Sequence, residues 1–460
     1  MRYDMVVIGA GPAGEKAATQ AAYFGRRVAV VDRREAPGGS VVGSAGIPTK
    51  TLRETALYLT GFRRREVYGV GMALMPEVAL ERLKSRTAEV TKGMTEVVRE
   101  NLRRNRVELV QGEASIGGDR RVVVRHPDGA SSLLEAEVVL VATGSRPLRP
   151  AAVPFDDADV HDSETILELE RIPASLVVIG GGPVGCEYAS IFTALGVAVT
   201  LVDVADRLLP FVDAEISAGL ARTFEETGMR VVLGSGMAVV ERSGGALRVR
   251  LAGGEVLEPD KVLFAAGRAG NTEGLGLADA GVRVDPRGRI VVDQRYRTSV
   301  GWLYAAGDVI GPPGLASVAA EQGRVAACHA FGIPFKQTVD PLPPYGVYSI
   351  PEVAMVGMPE QQAAEQGLDY EVGRAWLAGN ARSRIAGTTG LVKLVFDRRD
   401  RRLLGVHILS EEAGELVHLG QAVMHAGGTI DQFIHTTFNV PTRTEAYKYA
   451  AYDGLQRLAR

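Results

Sequence analysis

The feature that most restricts how this chain can fold is a strand, glycine turn and helix signature that occurs twice. The first copy is the apolar run Met5-Val6-Val7-Ile8 followed by Gly9, Gly11 and Gly14, and the second is Val177-Val178-Ile179 followed by Gly180, Gly182 and Gly185. Each copy is completed by an acid that closes the next apolar run, Asp32 and Asp203, and both acids stand 23 residues beyond the first glycine. The spacing suits a strand that must turn sharply into a helix whose exposed N–H groups face a pyrophosphate. The first glycine permits the turn, the second lets a phosphate approach the backbone, and the third lets helix and strand pack closely. A carboxylate at the end of the following strand accepts hydrogen bonds from a ribose diol. Two matched copies predict two dinucleotide-binding units.

A length of 460 residues has room for about three domains. With 52 basic and 55 acidic residues the net charge is −3, which gives no basis for a nucleic-acid or membrane-surface partner. The arginine runs Arg63-Arg64-Arg65 and Arg398-Arg399 beside Arg401-Arg402 read as solvated helix or hairpin surface. Cys186 and Cys328 are the only cysteines, so no disulfide framework is expected and both thiols read as inert core residues of a reducing compartment. No run approaches the ~18 uninterrupted apolar residues of a membrane span. The first strand begins almost at the N-terminus, leaving no room for a signal peptide, and the expected location is cytoplasmic. His418 and His425 lack companions at ligand spacing, so no metal site is expected.

Residues 1–150 read as a first dinucleotide-binding part with a long insertion, carrying helices near 51–60 and 77–105 and strands at 107–112, 122–126 and 138–143. Gly112 ends the first of these strands and Thr143-Gly144 the last, where a glycine again allows a close pass to a ligand. Residues 151–270 repeat the scheme with a hairpin-rich stretch at 231–257 and a strand at 262–266 that runs into Gly267. Both halves thus run strand, glycine turn, helix, strand, small β-meander and closing strand. Within residues 271–340, Leu303-Tyr304-Ala305-Ala306-Gly307-Asp308 precedes a small-residue helix beginning near Ala316. There Asp308 can hold a sugar hydroxyl while the helix N-terminus faces a ring or phosphate. Pro341, Pro343 and Pro344 mark a boundary, and residues 341–460 read as an α+β domain with strands at 391–396 and 404–409 and a helix at 413–426. The fold expected is α/β: two Rossmann-like dinucleotide-binding domains plus a C-terminal α+β domain, to which the resemblance given next adds the role of dimerisation domain.

The chain resembles the flavin-dependent pyridine nucleotide:disulfide oxidoreductases over essentially its whole length, with its finer matches in the soluble transhydrogenase branch. Those matches are Cys186-Glu187-Tyr188-Ala189-Ser190-Ile191-Phe192, Gly307-Asp308-Val309-Ile310-Gly311 with Leu315-Ala316-Ser317 and Gln322-Gly323-Arg324, and Phe438-Asn439-Val440-Pro441-Thr442 with Glu445-Ala446-Tyr447. The resemblance implies an FAD domain in residues 1–150 and 271–340, an NAD(P) domain in 151–270, and an interface domain in 341–460. That last domain builds a homodimer, its 438–445 loop approaching the partner's flavin. Cofactor contacts are then expected at Gly9, Gly11, Gly14, Asp32, Gly39, Lys50, Gly112, Thr143, Gly144, Gly180, Gly182, Gly185, Asp203, Gly267, Asp308 and Ala316.

In the family's disulfide reductases the segment that here runs Gly38-Gly39-Ser40-Val41 through Gly46-Ile47-Pro48-Thr49-Lys50 carries a redox-active cysteine pair. Val41 and Gly46 occupy the two cysteine positions, and a thiolate relay needs sulfur. The family's C-terminal His-Pro-Thr appears as Val440-Pro441-Thr442, so the thiols and their acid/base are lost together; His435 is assigned no catalytic role. Lys50 matches the lysine beside the flavin and Glu187 the glutamate that pairs with it under the nicotinamide, and these two are the catalytic candidates. A buried ammonium needs such a partner.

What the resemblance implies is a ping-pong relay in which NADH reduces FAD and the reduced flavin serves a second, small-molecule acceptor. In a transhydrogenase that acceptor is another nicotinamide, so NADP(H) joins NAD(H) and FAD. Asp203 should favour the ribose of NAD and repel the 2′-phosphate of NADP, with Arg207 the one nearby basic counterweight, so NADH is the expected donor. Two other readings stay open: an NADH-dependent reductase of a quinone, dioxygen, a metal ion or a dye, and a flavoprotein whose redox state regulates a partner through the interface domain.

Overall fold

The computed structural model describes residues 1–61, 69 and 76–459, and the arginine run at 63–65 lies outside them. The chain divides into two compact units: Met1–Thr51, Lys84–Leu148 and Gly267–Asp340 form one, and Leu52–Leu83, Arg149–Ala266 and Pro341–Arg460 the other.

In the first unit the strands lie in the order Glu108–Gln111, Val28–Asp32, Arg2–Ile8, Ser131–Val141, Arg121–Arg125 and Glu113–Ile116, with Leu303–Ala305 also paired to Ser131–Val141. The strands on either side of Arg2–Ile8 run parallel to it, and Arg121–Arg125 joins its neighbours in antiparallel fashion. Period-two alternation divides the core. Met5, Val7, Val28 and Val30 face the alanine-rich helices Pro12–Tyr23 and Ala316–Ala330, whereas Val6, Ile8, Ala29 and Val31 face the opposite side. The two helices approach closely enough that a methyl group on Gly323 would run into the carbonyl oxygen of Ala13.

Two strand boundaries differ from expectation. The strand expected at 107–112 spans Glu108–Gln111, parallel to its neighbour, and just beyond Gly112 a further strand, Glu113–Ile116, runs antiparallel to its own. Gly112 is required there by packing, because a Cβ would lie 2.5 Å from Val124 Cγ1 and 2.7 Å from the Arg125 oxygen. The strand expected at 138–143 starts at Ser131, its first half alternating buried and exposed residues and its second half buried throughout. One strand thereby serves both the meander, with one wet face, and the parallel sheet, with none.

In the second unit a parallel sheet has the order Arg230–Val232, Ala198–Val202, Ser175–Ile179, Lys261–Phe264 and Val160–Asp162. Its meander, Met237–Ser243, Ala246–Leu251 and Val256–Leu257, is a separate sheet. Pro259 stands between the meander's last strand and Lys261–Phe264, and without an N–H it cannot carry a ladder through. This is where the two halves of the internal duplication part company.

An antiparallel sheet closes the unit, in the order Tyr345–Val347, Glu352–Gly357, Leu403–Ser410, Leu391–Asp397 and Tyr370–Trp376. Three of those strands and the helix Ala446–Leu458 complete a domain in which the sequence displays only two strands and the helix Ala413–His425. Gly373 admits Ala446–Leu458 against the sheet, since a methyl there would strike the Ala450 oxygen. Leu176, Val178 and Leu220 share one buried cluster with Val353, Leu391 and Leu409. Among the described residues no helix is long and apolar enough to cross a membrane.

Candidate functional site

The two glycine turns have the same construction. Gly9 has φ 107° and Gly180 φ 117°, a conformation that side chains other than hydrogen rarely tolerate. A methyl on Gly14 would collide with the carbonyl oxygen of Gly9, and one on Gly185 with that of Gly180, so the third glycine seats each helix on its strand. Around Gly182 a Cβ would meet no atom within 4 Å, and Gly39 backs Gly11 so closely that its own Cβ would lie 2.8 Å from the Gly11 Cα. Helices Pro12–Tyr23 and Pro183–Ala194 start with proline after a glycine N-cap and have no side-chain cap. The helix Ala316–Ala330 follows Leu315, likewise without a side-chain cap. Three helix N-termini therefore present N–H groups not taken by a cap side chain, the arrangement that favours an anion.

The two acids bond to main-chain amides beside their turns, a contact the sequence does not display. Asp32 accepts from the Ala10 amide at 2.7 Å and the Arg34 amide at 2.9 Å. Asp203 repeats the arrangement, with its Oδ2 accepting from the Gly181 amide and its Oδ1 from the Ala205 amide at 2.7 Å. Each carboxylate thus clamps its own glycine turn. A carboxylate has about four acceptor sites, so two remain for a ribose. Arg207 donates to the Pro210 oxygen at 2.7 Å.

Elsewhere in the first unit, Thr143 Oγ1 donates to the Asn271 oxygen at 2.7 Å, and Asn271 returns bonds from Nδ2 to the Thr143 oxygen and from its amide to the Gly144 oxygen, both at 3.0 Å. Gly267, φ 124°, accepts from the Leu148 amide at 3.1 Å. Asp308 Oδ2 accepts from Ser145 Oγ at 3.0 Å, and that hydroxyl accepts from Arg268 Nε at 2.8 Å. Gln322 Oε1 accepts from the Gly307 amide at 2.8 Å. The Gly112 amide donates to the Asp32 oxygen at 2.9 Å. Asn271, Ser145 and Arg268 carry no motif signal; Gln322 was visible only as part of the run with Gly323 and Arg324.

Val41 lies in the short helix Gly39–Gly43 and Gly46 just before the helix Ile47–Thr60. A Cβ on Gly46 would lie 2.8 Å from the Val41 oxygen and 3.0 Å from Val41 Cγ1. The valine branch and the missing side chain are complementary, so hydrocarbon stands where the resembling reductases keep a sulfur pair. Cys186 and Cys328 are both free and buried, and burial pushes both thiols up from their ordinary range. Lys50 Nζ donates to Thr49 Oγ1 at 3.3 Å. In the other unit Glu187 is buried, and its Oε1 accepts from the Tyr348 amide at 2.9 Å. Val440 is exposed.

Residues 3–323 match the pyridine nucleotide-disulphide oxidoreductase family, and residues 343–451 match the dimerisation domain of the same family. A protein of Mycobacterium bovis named soluble pyridine nucleotide transhydrogenase is 42% identical over 458 residues, covering 99% of this chain and 98% of its own. Among solved structures, a Cu(II) complex of the HOCl-induced flavoprotein disulfide reductase RclA from Escherichia coli superposes with a TM-score of 0.88 at 27% identity, covering 98% of this chain and 99% of that one. LpdA from Mycobacterium tuberculosis gives 0.88 at 29% identity, with the same coverage. The uncapped helix termini, the glycine turns and the two carboxylates with acceptor sites to spare fit FAD and a pyridine nucleotide. The chain belongs to the pyridine nucleotide-disulphide oxidoreductase family and is an FAD-dependent NAD(P)H oxidoreductase with no disulfide among its described residues.

Proposed function

We propose that the protein takes electrons from NADH and passes them to a diffusible acceptor without any thiol relay, and that a second nicotinamide nucleotide is that acceptor, as in soluble transhydrogenation. The observation that carries this reading is the Val41–Gly46 contact in a chain whose two nucleotide-binding turns are complete. FAD, when bound, supplies a ring that accepts two electrons from a reduced nicotinamide and yields them to an oxidant.

The chain's own residues bind and orient. Gly9, Gly11, Gly14 and the Pro12–Tyr23 N-terminus hold the FAD pyrophosphate, with Asp32 on its ribose and Gly39 behind Gly11. Gly112, Thr143, Gly144, Gly267, Asp308 and Ala316 shape the rest of that site. Gly180, Gly182, Gly185 and Asp203 hold the nicotinamide nucleotide. Lys50 places a positive charge beside the flavin ring, and Glu187 orients the nicotinamide. The domain roles follow: FAD in residues 1–150 and 271–340, NAD(P) in 151–270, and in 341–460 the interface of a homodimer. Two buried, unpaired thiols support a cytoplasmic protein.

Asp203 favours a second reading. Its charge repels a 2′-phosphate, and Arg207 already gives one donor to Pro210, so NADH is the preferred donor and NADP a poor acceptor. An NADH-dependent reductase of a quinone, dioxygen, a metal ion or a dye would need no NADP at all. Anaerobic rapid mixing with NADH decides: fast loss of flavin absorbance followed by reoxidation with thio-NADP supports transhydrogenation. Reoxidation by quinone alone selects the second reading, and a flavin unaltered by NADH over minutes would overturn both.

A further inference from the structure

Beyond the strand Tyr345–Val347, residues 348–351 form a short strap that docks on the helix Pro183–Ala194. The Tyr348 amide donates to Glu187 Oε1 at 2.9 Å, and two residues on, the Ile350 amide donates to Ser190 Oγ at 3.1 Å. Ser190 Oγ in turn donates to the Glu187 main-chain oxygen at 2.9 Å. Between those amides, the Ser349 oxygen accepts from Arg53 Nε at 3.2 Å, while the Arg53 guanidinium lies 3.2 Å from Glu352 Oε1. Glu352 Oε2 accepts from the Gly414 amide at 3.0 Å, and Ser349 Oγ donates to the Pro351 oxygen at 2.6 Å. Apart from Tyr348, whose side chain is 37% exposed, the anchoring residues are buried: Glu187 is 8% exposed, Ser190 3%, Ser349 0% and Arg53 6%.

We infer that this strap sets the position of the Glu187 carboxylate, with Ser190 and Arg53 as positioning residues that hold the strap. The inference rests on the reading that Glu187 orients the nicotinamide. A glutamate side chain turns about three bonds, and a main-chain amide is a more rigid partner than another side chain. The Tyr348 amide can fix the carboxylate only if the strap itself is fixed. Ser190 stands three residues after Glu187, hence on the same helix face, and ties the strap down next to the group being oriented. Arg53 fastens the strap through the intervening carbonyl. Removing the Ser190 hydroxyl leaves the Ile350 N–H buried without its acceptor, and a strap that shifts to satisfy it carries the Tyr348 amide with it. Misplacement by about 1 Å at a reacting centre is worth roughly a hundredfold in rate.

The test is a double-mutant cycle on the FAD-loaded protein with Ser190→Ala, Glu187→Ala and the pair. Two quantities are read: the anaerobic rate of flavin reduction by NADH, and hydrogen exchange of the amides at 348–350. Ser190→Ala is expected to speed exchange at those amides and slow reduction by roughly ten- to a hundredfold. Combined with Glu187→Ala it should add no further loss, because both act through one carboxylate, and Ser190→Thr should restore the rate. Losses that multiply, or a loosened strap with an unchanged rate, would overturn the inference while leaving the role of Glu187 intact. An unchanged rate in Glu187→Ala alone would instead remove the role of Glu187 and the inference with it. Should Ser190→Ala fail to fold, Arg53→Lys, which loses the Nε bond to Ser349 but keeps a charge for Glu352, carries the same cycle.

Discussion

Gly14 and Gly185 do one steric task in two places, so substituting each asks which nucleotide its turn serves. An added methyl meets the carbonyl oxygen of Gly9 in one case and of Gly180 in the other, and overpacking of this kind costs about 1–3 kcal/mol. Gly14→Ala is expected to give a folded protein that has lost its yellow colour. Gly185→Ala should keep the flavin and show a raised KM for NADH. Flavin absorbance per chain together with NADH kinetics checks the pair, and loss of colour in both variants would sink the assignment of one nucleotide to each turn. These glycines were legible because their geometry is local: a strand, a turn and a helix within about a dozen residues suffice to require them. Asn271 and Arg53 were not, since their partners lie 128 and 296 residues away in sequence. The clamping bonds of Asp32 and Asp203 escaped for another reason, because the acid's offset shows that it reaches the turn but not which amide it meets.

At the scale of elements, the helix Ala214–Glu226 is capped by Asp213, whose Oδ1 accepts from the Glu215 amide at 3.0 Å and also lies 2.9 Å from Lys393 Nζ. Glu360 and Glu215 approach the same ammonium at 2.5 and 3.1 Å, and Arg374 lies 2.8 Å from Glu215. On the neighbouring strand Leu403–Ser410, His407 donates from Nε2 to the Met358 oxygen at 2.9 Å, and its buried Nδ1 has no hydrogen-bond partner. Burial holds the His407 imidazole below its ordinary pKa. The unfolded chain therefore takes up this proton first, and stability falls as pH drops through about 6.5. The urea midpoint should decline between pH 7 and pH 5.5, with His407 contributing to the loss. His407→Gln should show a shallower decline; an unaltered slope would place the acid sensitivity elsewhere, with His161, also held low by burial, the next group to substitute. At this scale the sequence announced the parallel strands Arg2–Ile8, Val28–Asp32, Ser175–Ile179 and Ala198–Val202, whose apolar runs are long, and missed Val160–Asp162, where His161 and Asp162 break the pattern. It hid Tyr370–Trp376 and Ala446–Leu458, where glycine and charged residues interrupt the pattern and only packing at Gly373 explains the small residue.

For the whole molecule, the C-terminal domain leaves Trp376, Ile385, Val440, Tyr449 and Tyr452 more than one-third exposed. An interaction surface would bury such side chains, and the region matches a dimerisation domain. Tyr449 and Tyr452 are three residues apart on the helix Ala446–Leu458, hence on one side of it. Sedimentation of the native protein is expected to give a dimer, and Tyr449→Asp with Tyr452→Asp a monomer that retains FAD. A native monomer would remove the proposed assembly, while a dimer that survives both charges would move it to another face.

The valine branch resting against Gly46 also bears on how such a protein fares under chemical assault. Alkylating agents, arsenicals and peroxides disable a dithiol enzyme by seizing its sulfur, and Val41 and Gly46 offer them none. Turnover here is expected to outlast doses that silence a cysteine-bearing machine of the same shape.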